Sequence, residues 1–183
     1  MKILEVTFWE TNSQPPKSEF VYSPKPGYIR FIQNRDYDSN EHITYIPKTK
    51  SLSIVNRFDI LMDKYGDAGT VRYGIEGAFN VALAKIGVKK ENMLEYVRCF
   101  LSSKPVYNYL HNACMASTRA SLNEENIKPL HILLPPDELL TLFENKVHLM
   151  RQAILKNIDE NEKLVEARNE LLPMLMNGQV SVR

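Results

Sequence analysis

The chain lacks the features that mark membrane-spanning and secreted proteins. No apolar run reaches the roughly 18 residues that a membrane helix needs. The opening residues Met1-Lys2-Ile3-Leu4-Glu5 turn polar at once, unlike a secretory signal peptide. We therefore expect a cytoplasmic protein that makes no contact with a membrane.

The chain also lacks the patterns by which nucleotide-binding and hydrolytic enzymes are recognised. Its seven glycines form neither the phosphate-loop pattern G-x-x-x-x-G-K-S/T nor the dinucleotide pattern G-x-G-x-x-G. No serine or cysteine lies in a nucleophile elbow. Asp59, Asp63 and Asp67 are spaced by four, but across a predicted strand and turn, so we expect no paired-carboxylate site. The sequence predicts no catalytic residue and no cofactor.

Cysteine is scarce, and its spacing does not favour a metal site. Cys99 and Cys114 are the two cysteines, and they are typical of reduced, buried thiols in the cytoplasm. His111 lies three residues before Cys114, but no second pair of ligands follows at zinc spacing. We predict no bound metal.

Net charge is close to zero and says little about partners. The chain has 23 Lys and Arg against 22 Asp and Glu, which gives +1 overall. Residues 1–136 carry 17 basic and 14 acidic side chains, a surplus of +3, and the remaining residues carry 6 and 8, or −2. A mild basic surplus permits nucleic-acid binding without arguing for it.

Residues 1–136 have the pattern of an α+β domain. Runs rich in β-branched and aromatic residues, bounded by turn formers, predict strands at 28–33, 42–46, 58–62, 70–73, 81–86 and 130–134. Asn92, with Glu95 as its capping-box partner, predicts a helix start, and a second helix should span 105–112. Ser121 and Glu124 predict another capped turn, and four prolines predict loop or edge structure over 11–27.

Residues 137–172 carry a heptad repeat that predicts one long helix ending at Pro173. The repeat comprises Leu140, Phe143, Val147, Met150, Ile154, Asn157, Asn161, Leu164, Arg168 and Leu171. About 36 residues make a rod on the order of 54 Å, whereas a domain of the other ~136 residues has a radius of gyration near 14 Å. The seam therefore needs a second helix. The alternative is a helix that folds back on its own domain.

Polar and basic residues that suit DNA cluster in three places. They are Arg30, Gln33, Asn34, Arg35 and Tyr37; Lys64, Tyr65 and Arg72; and Ser117, Thr118, Arg119 and Asn123. Arg, Gln and Asn pair with guanine or adenine edges, and the glycine-rich turn after Lys64 would let backbone approach DNA. The alternatives are solvated loops and a pair of ordinary hairpin turns.

Taken in order, these segments resemble one half of a DNA-specificity subunit of type I restriction–modification enzymes. The resemblance rests on short pieces at consistent order and spacing over nearly the whole chain. They are GYIRFIQ at 27–33, FDILM at 58–62, GAFN at 77–80, AKI at 84–86, STRASL at 117–122, LPP at 134–136, RNELLP at 168–173 and LMNGQV at 175–180.

The resemblance implies a non-catalytic subunit that binds double-stranded DNA. Residues 1–136 would be a target-recognition domain with a mixed, mainly antiparallel twisted sheet and short helices. Residues 137–183 would hold the long spacer helix, which pairs in an antiparallel coiled coil. Adenine methylation and cleavage would belong to separate modification and restriction subunits that this chain directs to an interrupted site.

The sequence departs from the family pattern in having one half where the usual subunit has two. We therefore expect two chains to form a homodimer through the long helix and to read an interrupted palindrome, with half-site centres roughly 10–15 base pairs apart. Whether the chain is a natural half-subunit or a fragment stays open, as does whether pairing needs a partner or DNA. Residues 1–26 match weakly.

The sequence departs from the family pattern at one further place. The family often has Glu-Gln soon after Pro-Pro, whereas here Leu139 follows Glu138. The sequence therefore does not predict which surface contacts the modification subunit.

The rival hypothesis is a coiled-coil dimeric interaction module that binds no DNA. Phosphate contact makes affinity fall log-linearly with salt, which would distinguish the two. The base sequence recognised depends on loop geometry and is not predicted.

Overall fold

The β-branched and aromatic runs of the first half of the chain form two four-stranded sheets. The structure is a computed structural model, and it describes residues 1–116 and 121–179. Within these residues the strands β1 to β8 span Thr7–Glu10, Tyr28–Ile32, Tyr45–Pro47, Ile54–Val55, Ile60–Asp63, Val71–Arg72, Gly77–Phe79 and Leu83–Val88. By contact, the chain divides into two units, residues 1–144 and 145–183.

The two sheets differ in strand direction. The first sheet has the order β1-β8-β5-β6, and all its neighbours are antiparallel. The second has the order β3-β2-β7-β4, and β2 runs parallel to β7. The expected α+β fold with mixed, mainly antiparallel pairing is confirmed. The sequence did not indicate that the strands divide into two sheets, because the strand pairs join residues far apart in the chain.

The helices follow the strands. Helices α1 to α4 span Leu94–Leu101, Lys104–Met115, Glu124–Ile127 and Asp137–Met176, and short 3-10 helices span Ile3–Glu5, Lys17–Glu19, Asn34–Tyr37 and Glu91–Met93. No helix in the described part of the chain is long and apolar enough to cross a membrane.

Three apolar clusters hold the first unit together. The largest packs Ile60, Met62 and Ile86 of the first sheet against side chains of α1, α2 and α3. The second lies between the sheets, where Leu61 and Leu83 meet residues of β2, β4 and β7. The third covers the other face of the second sheet. Alternate residues of β5 thus face different clusters, which is the two-residue period of a strand buried on both faces.

Gly77 permits the close parallel pairing of β2 and β7. Its φ is +153°, and a Cβ built there would lie 2.4 Å from the carbonyl oxygen of Arg30. Any side chain would force the two strands apart. This glycine therefore holds the second sheet in the geometry that brings the end of β2 towards β5.

The beginning of the chain is part of the domain core. Ile3 is fully buried in the largest cluster, and its backbone N–H donates to the carbonyl oxygen of Leu130 at 2.9 Å. Lys2 forms an isolated bridge with His131, so residues 130–134 do not form the strand that the sequence predicts. Ile132 is buried but Leu133 is 85% exposed, a pattern that a short apolar run does not reveal.

A buried ion pair takes the place of the predicted capping box at α1. The Glu95 side chain accepts from Arg98 inside the domain, and Arg98 also donates to the carbonyl oxygen of Phe58. Asn92 donates to the hydroxyl of Thr141 at 3.0 Å and does not cap the helix. The sequence prediction was wrong because the Glu95 side chain is buried with Arg98 one turn further along the helix, and because Asn92 has a tertiary partner that local spacing does not show.

The first residues of α4 belong to the first unit. Leu140 is 1% exposed in the largest cluster, and the ring of Phe143 meets that of Tyr96 edge-on at 5.9 Å. Lys90 pairs with Asp137 at 3.0 Å. Leu140 is therefore a core residue and is not available to a second helix, which corrects its place in the predicted seam.

From Val147 onward most of the heptad residues are exposed. Met150, Ile154, Leu164 and Leu171 are 57%, 41%, 62% and 48% exposed, and Asn157 and Asn161 are also exposed. Val147 is half-buried. The helix continues past Pro173 to Met176, beyond its predicted end. The pairing of this seam with another helix stays a prediction, as does the functional division at residue 136.

We predict that Arg98→Met lowers the free energy of unfolding by about 3–5 kcal/mol, because it removes the arginine that pairs with the buried carboxylate of Glu95. Replacing both residues by methionine should recover most of that loss. Chemical denaturation measures both values. Arg168→Met on the exposed helix is the control and should change stability by about 0.5 kcal/mol or less. A single variant as stable as the control would contradict the role of the pair.

Candidate nucleic-acid interface

Two of the three predicted groups of polar residues, and the described end of the third, lie in segments that touch one another. The guanidinium of Arg72, which is paired with Asp63, lies 5.3 Å from the centre of the Tyr37 ring, and this contact joins the segment after β2 to the end of β5. The backbone N–H of Leu122 donates to the carbonyl oxygen of Lys64 at 2.9 Å. We call residues 33–44, 63–72 and 121–123 the loop cluster. Segments separated by up to about ninety positions in the sequence thus form one surface.

The turn between β5 and β6 is fixed by its backbone and by α2. The backbone N–H of Asp63 donates to Thr70 and that of Gly69 donates to Asp63, each at 2.9 Å. Gly69 has a φ of +95°, and a Cβ there would lie 3.0 Å from the Cβ of Leu110. Glycine is therefore required for both conformation and close packing. The glycine-rich segment is a rigid turn, and no phosphate-loop helix follows it.

Asp67 closes the same turn through its carboxylate. The hydroxyls of Thr70 and Tyr107 each donate to it at 2.6 Å. These hydrogen bonds lower the pKa of Asp67 below its usual value, because they stabilise the charged form. The same bond raises the pKa of Tyr107. Tyr107 was not a predicted site residue, since nothing in its spacing links it to a turn forty positions earlier.

Arg72 is held against Asp63 and Tyr37. Its Nε and Nη2 donate to Oδ2 of Asp63 at 3.1 and 3.0 Å, and its guanidinium lies 5.3 Å from the centre of the Tyr37 ring. Asp63 is 1% exposed. Burial raises the pKa of Asp63, although the hydrogen bond from Arg72 opposes this effect. Burial also raises the pKa of Tyr37.

Asp36 organises the segment after β2 in a similar way. Its carboxylate accepts from the backbone N–H of Gln33 at 3.2 Å and lies 3.9 Å from the Nε atoms of both Arg30 and Arg35. Its side chain is 1% exposed, and burial raises its pKa. Arg30 donates to Asn40 at 3.0 Å. Arg30 is thus tied to neighbouring side chains.

The Gln33 amide is also engaged within the protein. Its Nε2 donates to the hydroxyl of Thr44 at 3.0 Å, and Arg35 reaches the same hydroxyl at a longer 3.4 Å. The side chain of Arg35 nevertheless stays 52% exposed. Lys64 lies over the ring of Tyr65 at 5.8 Å, and Tyr65 is 45% exposed. Arg35 and Tyr65 are therefore exposed to an incoming ligand, and Lys64 beside Tyr65 is partly exposed.

Only Asn123 of the third predicted group lies within the described residues. Asn123 caps α3: its side chain accepts from the backbone N–H of Glu125 at 3.0 Å. Its own backbone N–H donates to Asn126 at 2.9 Å. Asn123 therefore provides the cap that the sequence assigned to Ser121. Ser117, Thr118 and Arg119 lie outside the described residues.

The described residues contain no cluster of three or more His, Cys, Asp or Glu side chains that could hold a metal ion. Cys114 is buried in the largest apolar cluster, where desolvation raises its pKa, whereas Cys99 is exposed and the prediction that it is buried was wrong. The ring of His111 stacks on that of Tyr107 at 5.5 Å. These two residues serve packing in the described part of the chain.

Two tyrosines of this region should respond in opposite ways to loss of the hydroxyl. The Tyr37 hydroxyl is buried without a hydrogen-bond partner among the described residues, whereas that of Tyr107 donates to Asp67. Tyr37→Phe should leave the free energy of unfolding unchanged or raise it by up to about 1 kcal/mol. Tyr107→Phe should lower it. Urea denaturation of both variants measures the difference, and a clear loss from Tyr37→Phe would contradict this account.

Comparison with known proteins adds an independent line of evidence. The family model "Type I restriction modification DNA specificity domain" matches residues 2–173. Over 91 residues the chain is 30% identical to the Type I restriction enzyme HindI specificity subunit of Haemophilus influenzae. This aligned stretch covers 49% of this chain and 20% of that protein.

Two solved structures share the fold. The HsdS subunit from Thermoanaerobacter tengcongensis has a TM-score of 0.59 and 15% identity, covering 98% of this chain and 45% of that chain. The type I S subunit from M. genitalium has a TM-score of 0.66 and 13% identity, covering 94% of this chain and 44% of that chain. The chain thus spans less than half the length of these relatives. Since the family model matches nearly the whole chain, the protein belongs to the type I restriction–modification DNA specificity domain family.

Proposed function

We propose that this chain recognises double-stranded DNA as a specificity component of a type I restriction–modification system. The observation that carries the proposal is the meeting of three polar segments in one loop cluster, joined by the contact of Arg72 with Tyr37 and by the Leu122–Lys64 hydrogen bond. Membership of the DNA specificity domain family supports it. A surface built from several loops on a rigid scaffold is the usual way in which binding residues are presented.

The residues of the loop cluster suit different parts of a duplex. Arg35, Lys64 and Tyr65 are exposed or partly exposed, and a flexible cation contributes most by neutralising phosphates. Arg30 and Arg72 are held by buried carboxylates. A side chain with a fixed orientation is better suited to base edges, where hydrogen-bond geometry decides specificity.

Removing the exposed Arg35 and the partly exposed Lys64 tests the phosphate contacts. Arg35→Ala with Lys64→Ala should weaken binding to every duplex and reduce the slope of log affinity against log salt by about two, because each phosphate contact contributes about one. Fluorescence anisotropy over a salt series measures the slope. Lys89→Ala with Lys90→Ala is the matched control, since these exposed lysines lie past the other end of β8 from Lys64.

Two results would contradict this part of the proposal. Equal slopes for the loop-cluster variant and the lysine control would mean that DNA binds elsewhere. If the unaltered chain bound no duplex even at low salt, alone or with a modification subunit, the rival hypothesis of a coiled-coil interaction module would be favoured.

We further propose that the chain is non-catalytic, acts in the cytoplasm and directs modification and restriction subunits to an interrupted site. The purified chain should transfer no methyl group from S-adenosylmethionine to DNA and should not cut it. Addition of the modification subunit of the same system should produce adenine methylation at a defined site. Labelled methyl transfer measures both, and transfer by the chain alone would refute this role.

We also propose that two chains pair antiparallel through α4. The exposed apolar residues from Met150 to Leu171 support this, because an apolar seam of that length is stabilised when a second helix covers it. Antiparallel pairing would bring Asn157 and Asn161 of both chains close together, where their amides can satisfy one another. Two identical recognition domains related by a two-fold axis would read an interrupted palindrome.

Charges placed in the seam should disrupt this dimer. Ile154→Asp with Leu164→Asp introduces two carboxylates at apolar positions of the repeat, so sedimentation at tens of micromolar should show a monomer. Leu142→Asp with Leu149→Asp is the control, because both leucines are 66% exposed and lie off the repeat. An unaltered chain that is monomeric, or a seam variant that stays dimeric, would refute self-association.

A further inference from the structure

Arg72 is hydrogen-bonded through one edge of its guanidinium, and the other edge has no partner among the described residues. Nε and Nη2 both donate to Oδ2 of Asp63. Nη1 forms no hydrogen bond or ion pair with any residue among 1–116 and 121–179. The Arg72 side chain is 22% exposed. The edge formed by Nη1 and the second hydrogen of Nη2 is therefore available for a ligand.

Three contacts restrict the rotation of this guanidinium. Asp63 fixes the Nε–Nη2 edge, the Tyr37 ring lies beside the guanidinium, and Asp63 is itself held by the backbone hydrogen bonds of the turn. A preorganised arginine loses little further side-chain entropy when it binds. Arg35 provides the contrast, because it is half-exposed and its hydrogen bonds are 3.3 and 3.4 Å long.

We propose that Arg72 reads a guanine in the major groove through its Nη1–Nη2 edge, and that Asp63 and Tyr37 are positioning residues for this contact. The inference rests on the proposed DNA-binding function and names the base that one side chain recognises. Guanine offers two adjacent acceptors, O6 and N7, at the spacing of an arginine's paired donors. Adenine presents a donor beside N7, so it cannot accept both hydrogen bonds.

The role of Asp63 follows from the geometry of the pair. Without its carboxylate, the guanidinium of Arg72 loses two hydrogen bonds and the charge that orients it. The arginine would then contact phosphates as readily as bases, so affinity for random duplex would persist while the preference for guanine fell. This pattern separates positioning from simple loss of folding, which would lower both.

The experiment begins with selection of duplexes from a random pool by the unaltered protein, with its modification subunit present. The selected half-site should contain a guanine whose replacement by 7-deazaguanine, which lacks the N7 acceptor, weakens binding several-fold. Arg72→Ala should weaken binding to the selected duplex by roughly 10- to 100-fold. It should also abolish the preference at that one position and the sensitivity to 7-deazaguanine.

Asp63→Ala should relax preference at the same position, and Asp63→Ala combined with Arg72→Ala should be no worse than Arg72→Ala alone. Asp63→Asn, which keeps the size of the side chain, serves as the second variant if the alanine variant does not fold. Asp59→Ala is the matched control. Asp59 precedes the other end of β5 and pairs with Lys85 at 3.2 Å, so its loss should cost some stability without changing base preference.

The outcomes separate this inference from the proposed function. If the unaltered protein enriches no sequence and binds no duplex, the proposed function fails and the guanine contact with it. If it enriches a sequence but Arg72→Ala keeps the same preference at every position, only the inference is overturned. Additive effects of the Asp63 and Arg72 variants, or a selected site in which no guanine N7 matters, would also overturn it.

Discussion

Asp63, the last residue of β5, joins more parts of the domain than any other polar side chain described above. Its backbone closes the turn towards β6, and its buried carboxylate accepts two hydrogen bonds from Arg72, whose guanidinium lies against the Tyr37 ring. The first sheet, the turn and the segment after β2 therefore share one anchor. Because a buried carboxylate is costly unless it is paired and hydrogen-bonded, the partners of Asp63 must stay close to it in the folded protein. The shape of the loop cluster depends on this requirement.

The same principle recurs at two other buried carboxylates. Asp36 lies between Arg30 and Arg35 after β2, and Glu95 pairs with Arg98 at the start of α1. Each acid comes from a helical segment and each is matched by arginine, whose planar guanidinium suits directional pairing. Such pairs contribute little net stability but penalise rearrangement strongly, since breaking one leaves a buried charge. The domain thus uses burial of charge to hold loops in place that apolar contacts do not cover.

Helix α4 combines two roles along one continuous element. Its first turns complete the core through Leu140 and are attached by Lys90 and Asn92. Its later residues expose the apolar repeat to solvent. The heptad pattern is the same in both parts, so the pattern alone does not distinguish a residue that packs on its own domain from one that would face a second helix. Leu140 and Ile154 lie two heptads apart at equivalent apolar positions, yet Leu140 is buried and Ile154 is exposed.

The sequence alone determined the features that depend on local periodicity and composition. The alternating strands at 28–33 and 81–86, the long helix after Pro136 and the α+β class all follow from side chains that repeat at short range, and the structure confirms them. The order of short motifs also identified the family correctly. Only the tertiary structure decided that the strands form two sheets, that Asn92 has a distant partner in Thr141, and that Asp63 holds Arg72. These depend on contacts between residues far apart in the chain, whose free energies come from burial and pairing that no local pattern contains.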